Sequence, residues 1–155
     1  MKKTYWIIAS MLFLLTTVAK AQSFSPWTWD TYGLAFKAPS NMIVETNNGD
    51  EFGAKLKNDL LHLYIFPWKD AELTTGTLNA EVEALAESLG YEGSEVVELE
   101  LNSFEGSYVI GEKDNVTSII LGLLDPESDT NFYVLIVYGP GYEKRALEIA
   151  NSFSK

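Results

Sequence analysis

The residue types that could do chemistry are few, and the clearest group lies in the segment LHLYIFPW at positions 61–68, which contains the only histidine of the chain. Alternate residues of an extended strand face the same side, so this segment predicts one face with His62, Tyr64, Phe66 and Trp68. An imidazole among aromatic rings could serve as a general base, as a metal ligand or as part of a binding surface. The rest of the sequence decides how far each role is supported.

Catalytic and metal roles for His62 lack partners in the sequence. A zinc site of ordinary type uses three or four ligands, commonly His or Cys, whereas this chain has one histidine and no cysteine. A serine hydrolase of the Gly-x-Ser-x-Gly type places its nucleophile on a sharp turn, and that motif does not occur here. We therefore predict no catalytic residue, no metal and no cofactor. A hydrolase whose pocket brings His62 or carboxylates together remains an alternative.

The aromatic neighbours of His62 carry more information than the imidazole itself. If one face of the strand packs under helices, then His62, Tyr64, Phe66 and Trp68 lie on the far face, where exposed aromatic rings are typical of a ligand or partner surface. In the competing interpretation, loops, the leader around Trp27 or a second protomer cover this face, and the sequence favours such coverage. The four residues are the predicted binding residues if the face is open.

Trp27 and Trp29 are two further candidate binding residues. Their two-residue spacing places both rings on one strand face, a geometry that a sugar or an aromatic ligand could use. Tryptophans in this arrangement more often anchor a strand onto a core, because burial of a large aromatic ring is itself strongly stabilising.

Carboxylates occur in two places that could bind ions. The segment Asp125 to Asn131 has oxygen side chains at alternate positions, but Thr130 stands where an EF-hand loop needs glycine and Ile136 where it needs glutamate. We expect a solvated acidic turn there, with weak calcium binding as the alternative. Glu98 and Glu100 share one strand face, yet spacing alone does not perturb a pKa, so they are expected to be solvent-facing charges.

The first residues predict the compartment. Lys2 and Lys3 precede an apolar run, Tyr5 to Val18, and Ala19-Lys20-Ala21 provides small residues before Gln22, which is the pattern of a secretory signal peptide over 1–21. The run is shorter than the roughly 20 residues of a membrane span. We expect residues 22–155 to form a single domain, periplasmic or extracellular, without a stable membrane anchor after cleavage.

The charge of residues 22–155 narrows the classes of partner. This part contains 8 Lys and Arg against 22 Asp and Glu, a net charge of −14. Phosphate backbones and anionic headgroups would be repelled, so nucleic acid is not an expected partner. With no cysteine in the chain, stability must come from a hydrophobic core, which a domain of this length can form.

The elements that must position these residues follow from periodicity. A period of two predicts strands, and a period of 3.6 predicts helices over about 78–89 and 142–153. Polar turns between strands indicate antiparallel pairing, and the apolar runs over 116–124 and 132–138 indicate central strands. The predicted strands are Trp27–Lys37, Met42–Thr46, Phe52–Lys57, Leu61–Trp68, Val96–Leu101, Phe104–Glu112, Val116–Leu124 and Phe132–Tyr138. The predicted fold is an α+β sandwich, two-layer or α/β/α, with a mainly antiparallel sheet of seven or eight strands; we expect both helices on one sheet face.

The opening strand YGLAFKAPS, which ends in a proline, and the closing IANSF resemble the PsbP-like family, which includes bacterial DcrB-type periplasmic proteins. The resemblance covers most of residues 22–155 and rests on packing motifs, chiefly the phrase around Phe36 and Pro39 and the final Ser-Phe. It implies a sandwich around an antiparallel sheet and an accessory or binding role without a shared catalytic set. A cystatin-like fold, in which a curved sheet wraps a helix, is the alternative.

The expectation for function is a secreted, non-enzymatic binding or accessory protein of the cell envelope, with an unknown protein or small molecule as partner. Two alternatives stay open at this point. One is the hydrolase described above, and the other is a structural subunit of an envelope assembly.

Overall fold

The computed structural model describes residues 23–70 and 72–155, so the predicted signal peptide lies outside the described residues. Within this part, ten β-strands and two α-helices follow one another along the chain. They are β1 (Phe24–Trp29), β2 (Leu34–Pro39), β3 (Ile43–Asn47), β4 (Phe52–Lys55), β5 (Leu61–Trp68), α1 (Leu78–Ser88), β6 (Glu92–Gly93), β7 (Val97–Glu100), β8 (Glu105–Lys113), β9 (Val116–Leu124), β10 (Asn131–Tyr138) and α2 (Glu143–Ala150).

Eight of these strands form one antiparallel sheet, in the order β3-β4-β5-β10-β9-β8-β6, with β7 also paired to β8. The predicted α+β class and its mainly antiparallel sheet are confirmed, and so is the central position of β9 and β10. Their apolar runs are long because both sheet faces are covered along much of these strands.

Strands β1 and β2 form a separate two-stranded hairpin. The prediction of one strand over Trp27–Lys37 was wrong, because the chain turns between Trp29 and Leu34. Backbone hydrogen bonds from Tyr32 to Trp29 and from Gly33 to Asp30 close the turn. Gly33 adopts φ +65°. Glycine reaches this conformation at low cost because it has no Cβ.

The two helices lie on opposite faces of the sheet. One apolar cluster joins α2 and the β1-β2 hairpin to the sheet face that includes Leu63 and Leu121. A second cluster joins α1 to the other face through Val109 and Ile120. The expectation that both helices cover one face was therefore wrong. An amphipathic stripe shows that a helix has a face to bury, but it does not show which surface will bury it.

The helix ends differ from their predictions in detail. Helix α1 ends one residue before the predicted boundary, and Gly90, with φ +83°, follows it. Thr77 occupies the N-cap position without a capping side-chain bond, because its hydroxyl donates to the Glu72 carbonyl at 2.6 Å. Helix α2 ends at Ala150, and Phe153 packs into the core beyond the helix. In the described part of the chain, no helix has the length and apolarity to cross a membrane.

Candidate functional site

The predicted alternation along β5 is confirmed. Leu61, Leu63 and Ile65 are fully buried in the cluster that contains α2. The opposite face carries His62, Tyr64, Phe66 and Trp68, which we call the aromatic stripe. The first three are half-buried, whereas Trp68 is 9% exposed.

The burial of Trp68 follows from the position of α1. A Cβ placed on Gly122 would come within 2.9 Å of the Trp68 ring, 2.7 Å of Val82 and 3.0 Å of Leu78, so the indole and the helix both pack over this glycine. Trp68 is thus a core residue, which removes it from the predicted binding surface. Helix α1 has its main contacts with β6, β8 and β9, and His62, Tyr64 and Phe66 remain half-buried in the described part of the chain.

Strand β10 extends the uncovered area. Its residues Tyr133, Leu135 and Val137 are half-buried and pair with Phe66, Tyr64 and His62 of β5, respectively. The rings of Phe66 and Tyr133 stack with centroids 4.8 Å apart and planes 21° from parallel. We call these six residues the open face.

The sequence prediction missed the contribution of β10. The run FYVLIVY suggested a strand covered on both sides, and coverage is complete only on the side that faces α2 and the hairpin. Alternation inside this run would not reveal the difference, because both sets of side chains are apolar or aromatic. Only the position of α1 on the folded sheet shows which of these residues remain partly exposed to solvent.

A charged cluster borders the open face. Lys55 pairs with Glu45 at 3.1 Å and with Asp59 at 2.9 Å. The hydrogen bond to Asp59, followed by the one to Glu45, raises the pKa of Lys55, and the bond from Lys55 lowers the pKa of Asp59. These shifts favour the charged forms of Lys55 and Asp59 at neutral pH, and the exposed pairs contribute little to stability.

His62 is held by a neighbour on each side of its ring. Its Nε2 lies 3.1 Å from the carbonyl oxygen of Asp59, and its Nδ1 lies 3.1 Å from the Tyr64 hydroxyl. A carbonyl only accepts, so Nε2 donates, and in the neutral ring Nδ1 accepts from Tyr64. Both nitrogens are therefore used in orienting the ring. The nearest carboxylate oxygen described for it, on Asp59, is 3.9 Å from Nε2.

The tyrosines of the open face act as neutral groups. Burial, with a smaller effect of Glu45, raises the pKa of Tyr64, and burial with the nearby charge of Glu51 raises the pKa of Tyr133. Both phenols remain protonated at physiological pH. The open face consequently presents two neutral phenols among aromatic and aliphatic side chains, with acidic side chains and Lys55 at its edge.

Trp27 and Trp29 anchor the hairpin instead of forming a stacking platform. Trp29 is fully buried, and its Nε1 donates to the Asn48 carbonyl at 3.0 Å. Its ring meets Tyr32 edge-on at 4.7 Å. Trp27 is half-buried and meets Phe52 edge-on at 6.4 Å. Because Trp29 is enclosed, the two rings do not offer a sugar the paired surface that their spacing suggested.

The burial of Asp125 makes it a functional candidate of a kind that the sequence did not predict. It was expected in a solvated turn, yet it is 2% exposed. Its carboxylate accepts from the Glu127 N–H at 2.9 Å and from the Ser128 hydroxyl at 2.5 Å, and it forms an ion pair with Lys155. A cavity of about 350 Å³ lies beside it. The partner is 30 positions away in the sequence, so no local pattern signals the burial.

The charge state of Asp125 results from opposing effects. Burial by itself would raise the pKa of this carboxyl, but the hydrogen bonds from Lys155, Ser128 and the Glu127 N–H outweigh it and hold the pKa below its usual value. The carboxylate is therefore negatively charged and accepts from three donors of the protein. Within 23–70 and 72–155, no three His, Cys, Asp or Glu side chains are placed to hold a metal ion.

Glu98 and Glu100 are exposed on β7, as expected. Glu98 accepts a hydrogen bond from the Asn79 side chain at 2.7 Å, and Asn79 in turn accepts from the buried Ser107 hydroxyl. This chain of hydrogen bonds ties α1 to β7 and β8. It has no histidine or lysine that could activate the serine, so it is a packing feature.

Comparison with known proteins gives a likeness of fold. No protein-family model matches the sequence, and no curated protein matches it. Among solved structures, the Ran-binding protein Mog1p of Saccharomyces cerevisiae is similar, with a TM-score of 0.58 at 10% sequence identity. The match covers 86% of this chain and 96% of the yeast protein. At this identity the likeness extends to the arrangement of helices and strands, and not to individual residues.

Proposed function

We propose that this chain is a non-enzymatic accessory protein that binds a protein partner through the open face. The observation that carries the proposal is the uncovered half of the sheet, where His62, Tyr64 and Phe66 of β5 meet Tyr133, Leu135 and Val137 of β10. Helix α1 contacts β6, β8 and β9, and Tyr133 and Leu135 pack against the edge of its apolar cluster while remaining only half-buried.

The size of the open face shows how much more surface a macromolecular partner would have to cover. Strand spacings of about 4.8 Å and a rise of about 3.4 Å per residue give the six residues an area on the order of 200 Å². This area is smaller than the largest apolar patch on a typical monomer, which is about 300–600 Å². A stable interface buries about 800 Å² on each partner, so the surrounding rim would also have to take part.

The rim indicates the chemistry of the partner. Glu45, Glu51 and Asp59 lie at or near the edge of the open face, where Lys55 pairs with two of them, so three carboxylates face one ammonium among these residues. The chain as a whole carries a net charge of −11. A complementary partner would present an apolar centre surrounded by Lys or Arg side chains, since opposite charges at a rim accelerate and orient association. The printed description of Mog1p as Ran-binding offers a precedent for protein binding by a similar fold.

The proposed place of action is outside the cytoplasm, and the proposed relatives are the PsbP-like proteins. Support comes from the signal-peptide pattern over 1–21 and from the motifs YGLAFKAPS and IANSF. Accessory binding roles without a shared catalytic set are what that resemblance implies. The surroundings of His62 are consistent with this, because both ring nitrogens already have hydrogen-bond partners within the chain.

Photocrosslinking from the open face tests the proposal. A photoreactive phenylalanine analogue is placed at Phe66 in the full chain, which is expressed in the source organism and irradiated. The matched control carries the analogue at Val97, which is 42% exposed on β7. We expect a discrete protein adduct from position 66 and none from position 97. Thermal unfolding of both proteins checks that each is folded.

A second variant decides whether the adduct reports the open face. Leu135→Lys places a charge in its centre, while the equivalent Val97→Lys leaves the face unchanged. Loss of the position-66 adduct in the Leu135 variant alone supports the proposal. An adduct that persists in the Leu135 variant, or equal labelling from positions 66 and 97, contradicts it.

A further inference from the structure

The buried carboxylate of Asp125 lies at the base of an aromatic cavity. The cavity of about 350 Å³ is lined by the rings of Tyr32, Phe104 and Phe132 and by the side chains of Ser128 and Thr130. Tyr32 and Phe104 each meet Phe132 edge-on, with centroids 5.4 Å and 6.1 Å from it. We call this space the Asp125 pocket.

One cation of the chain already occupies the pocket. The Lys155 ammonium pairs with Asp125 Oδ2 and lies 6.0 Å from the Phe104 ring centroid. A carboxylate together with the face of an aromatic ring is the environment that proteins use to bind alkylammonium groups. Lys155 therefore shows directly which chemistry the pocket accepts.

Lys155 is also the exchangeable member of the arrangement. Its side chain is 45% exposed, whereas that of Asp125 is 1% exposed. The other two donors to the carboxylate come from the same tight turn, the Glu127 N–H and the Ser128 hydroxyl. A rotation of the lysine side chain toward solvent would leave a charged, buried carboxylate, which is costly until another cation replaces it.

The space around Lys155 allows such a replacement. Lys155 and Phe104 line both the Asp125 pocket and a second cavity of about 270 Å³, which is bounded by Ser103 and Pro126 on its other side. Lys155 thus forms part of the wall of both cavities. Its withdrawal would vacate space beside Asp125 and provide room for an alkyl chain that ends there.

We propose that the Asp125 pocket is a binding site for an alkylammonium group, either of a free amine or of a lysine side chain, and that Lys155 fills it from within the chain. The aromatic walls select an organic cation over a hydrated metal ion. The acidic surface of the protein raises the local concentration of cations near the pocket. This site is separate from the open face and does not depend on the proposed function.

Titration of three proteins with n-butylammonium chloride tests the site. They are the full chain, Lys155→Ala, and the double variant Asp125→Asn/Lys155→Ala, which removes both charges together. Binding is followed by NMR shifts of the Ser128 and Glu127 amides and by the melting temperature. Sodium chloride at equal ionic strength and neutral n-butanol are the control solutes.

We expect Lys155→Ala to bind n-butylammonium more tightly than the unaltered chain does. A competing lysine that occupies the carboxylate nine-tenths of the time weakens apparent affinity about tenfold, so its removal should strengthen binding about tenfold. The double variant and the butanol control should show no binding. Equal responses in Lys155→Ala and the double variant would overturn the proposal.

A failure of Lys155→Ala to fold would not prevent the test. Refolding of this variant would then be compared in n-butylammonium, sodium chloride and n-butanol. Recovery of folded protein in n-butylammonium alone supports the site. Equal recovery in all three solutes, or none in any, overturns it. Titrations of the unaltered chain with spermidine and with a lysine-containing peptide distinguish the two sources of the ammonium group. Selective binding of either solute supports the site and identifies the source of the ammonium group. Binding of neither contradicts the proposal.

Discussion

Substitution of Gly122 by alanine tests the packing that divides the aromatic stripe into a covered and an open part. The added methyl group would lie 2.7 Å from Val82, 2.9 Å from Trp68 and 3.0 Å from Leu78. All three neighbours are buried, with exposures of 0%, 9% and 4%, respectively. Gly122 itself belongs to β9, which is paired on both sides by β8 and β10. The backbone therefore cannot retreat, and α1 and Trp68 must move.

The size of the effect follows from these contacts. Ordinary contact begins near 3.4 Å, so the nearest neighbour has to shift by about 0.7 Å. Forcing a methyl group into a packed core costs typically about 1–3 kcal/mol. For a domain of this length each kcal/mol lowers the melting temperature by roughly 3–5 °C, so we expect a loss on the order of 3–15 °C.

Gly76→Ala is the matched control, because a Cβ there meets nothing within 4 Å and its φ is not in the left-handed region. The melting temperature and urea unfolding of both variants are compared with those of the unaltered protein. Gly76→Ala should be neutral or stabilising by up to about 1 kcal/mol, since it lowers the entropy of the unfolded chain. The same stability for Gly122→Ala as for Gly76→Ala would refute the packing of α1 over Gly122.

A double variant tests the cause more closely. Val82→Ala alone creates a cavity and costs roughly 1–3 kcal/mol. In the presence of Gly122→Ala the same truncation makes room for the new methyl group, so the double variant should lose less than the two single losses combined. Additive losses would show that Val82 does not contact position 122.

Three further predictions concern other parts of the fold. The lowered pKa of Asp125 stabilises the folded state above its unfolded value of 3.8, and this contribution is lost as pH falls through the lower native pKa. Urea unfolding between pH 7 and pH 2.5 measures this contribution. The free energy of unfolding of the unaltered protein should exceed that of Asp125→Asn by a margin that shrinks as the pH falls, and a constant margin would contradict the lowered pKa of Asp125. Trp29→Phe should cost about 1–3 kcal/mol, because the Asn48 carbonyl loses its donor and a void remains; an unchanged melting temperature would contradict the buried position. Asn115 has φ +63°, in the left-handed region. Asn115→Ala should therefore lower the free energy of unfolding by about 1 kcal/mol, whereas Asn115→Gly should change it by only about a few tenths of a kcal/mol. Equal effects of the two substitutions would rule out the left-handed turn.

Much of the secondary structure could be read from the sequence because it depends on local patterns. Strand β5 and strand β9 begin and end where the apolar alternation and the polar turns placed them. Gly90 ends α1 as expected, since a residue without Cβ enters the left-handed region at low cost. The hairpin at Gly33 was missed because alternation continues on both sides of a turn that has only one glycine.

The candidate sites were predictable only in part. The order of residues along β5 determines that His62, Tyr64, Phe66 and Trp68 share a face, because the side-chain period of a strand is two. It does not determine that α1 covers Trp68 and leaves Phe66 open, which depends on where an eleven-residue helix lies on an eight-stranded sheet.

The sequence by itself determined both helices and most of the strands, the antiparallel pairing of the main sheet, the shared face of the aromatic stripe and the acidic character of the chain. The tertiary structure alone decided three things: that the helices lie on opposite sheet faces, that Tyr133 joins Phe66 on an open surface, and that Asp125 is buried against Lys155. The reason is physical. Periodicity and turn chemistry act between near neighbours, whereas burial depends on which distant segments the fold places above a residue.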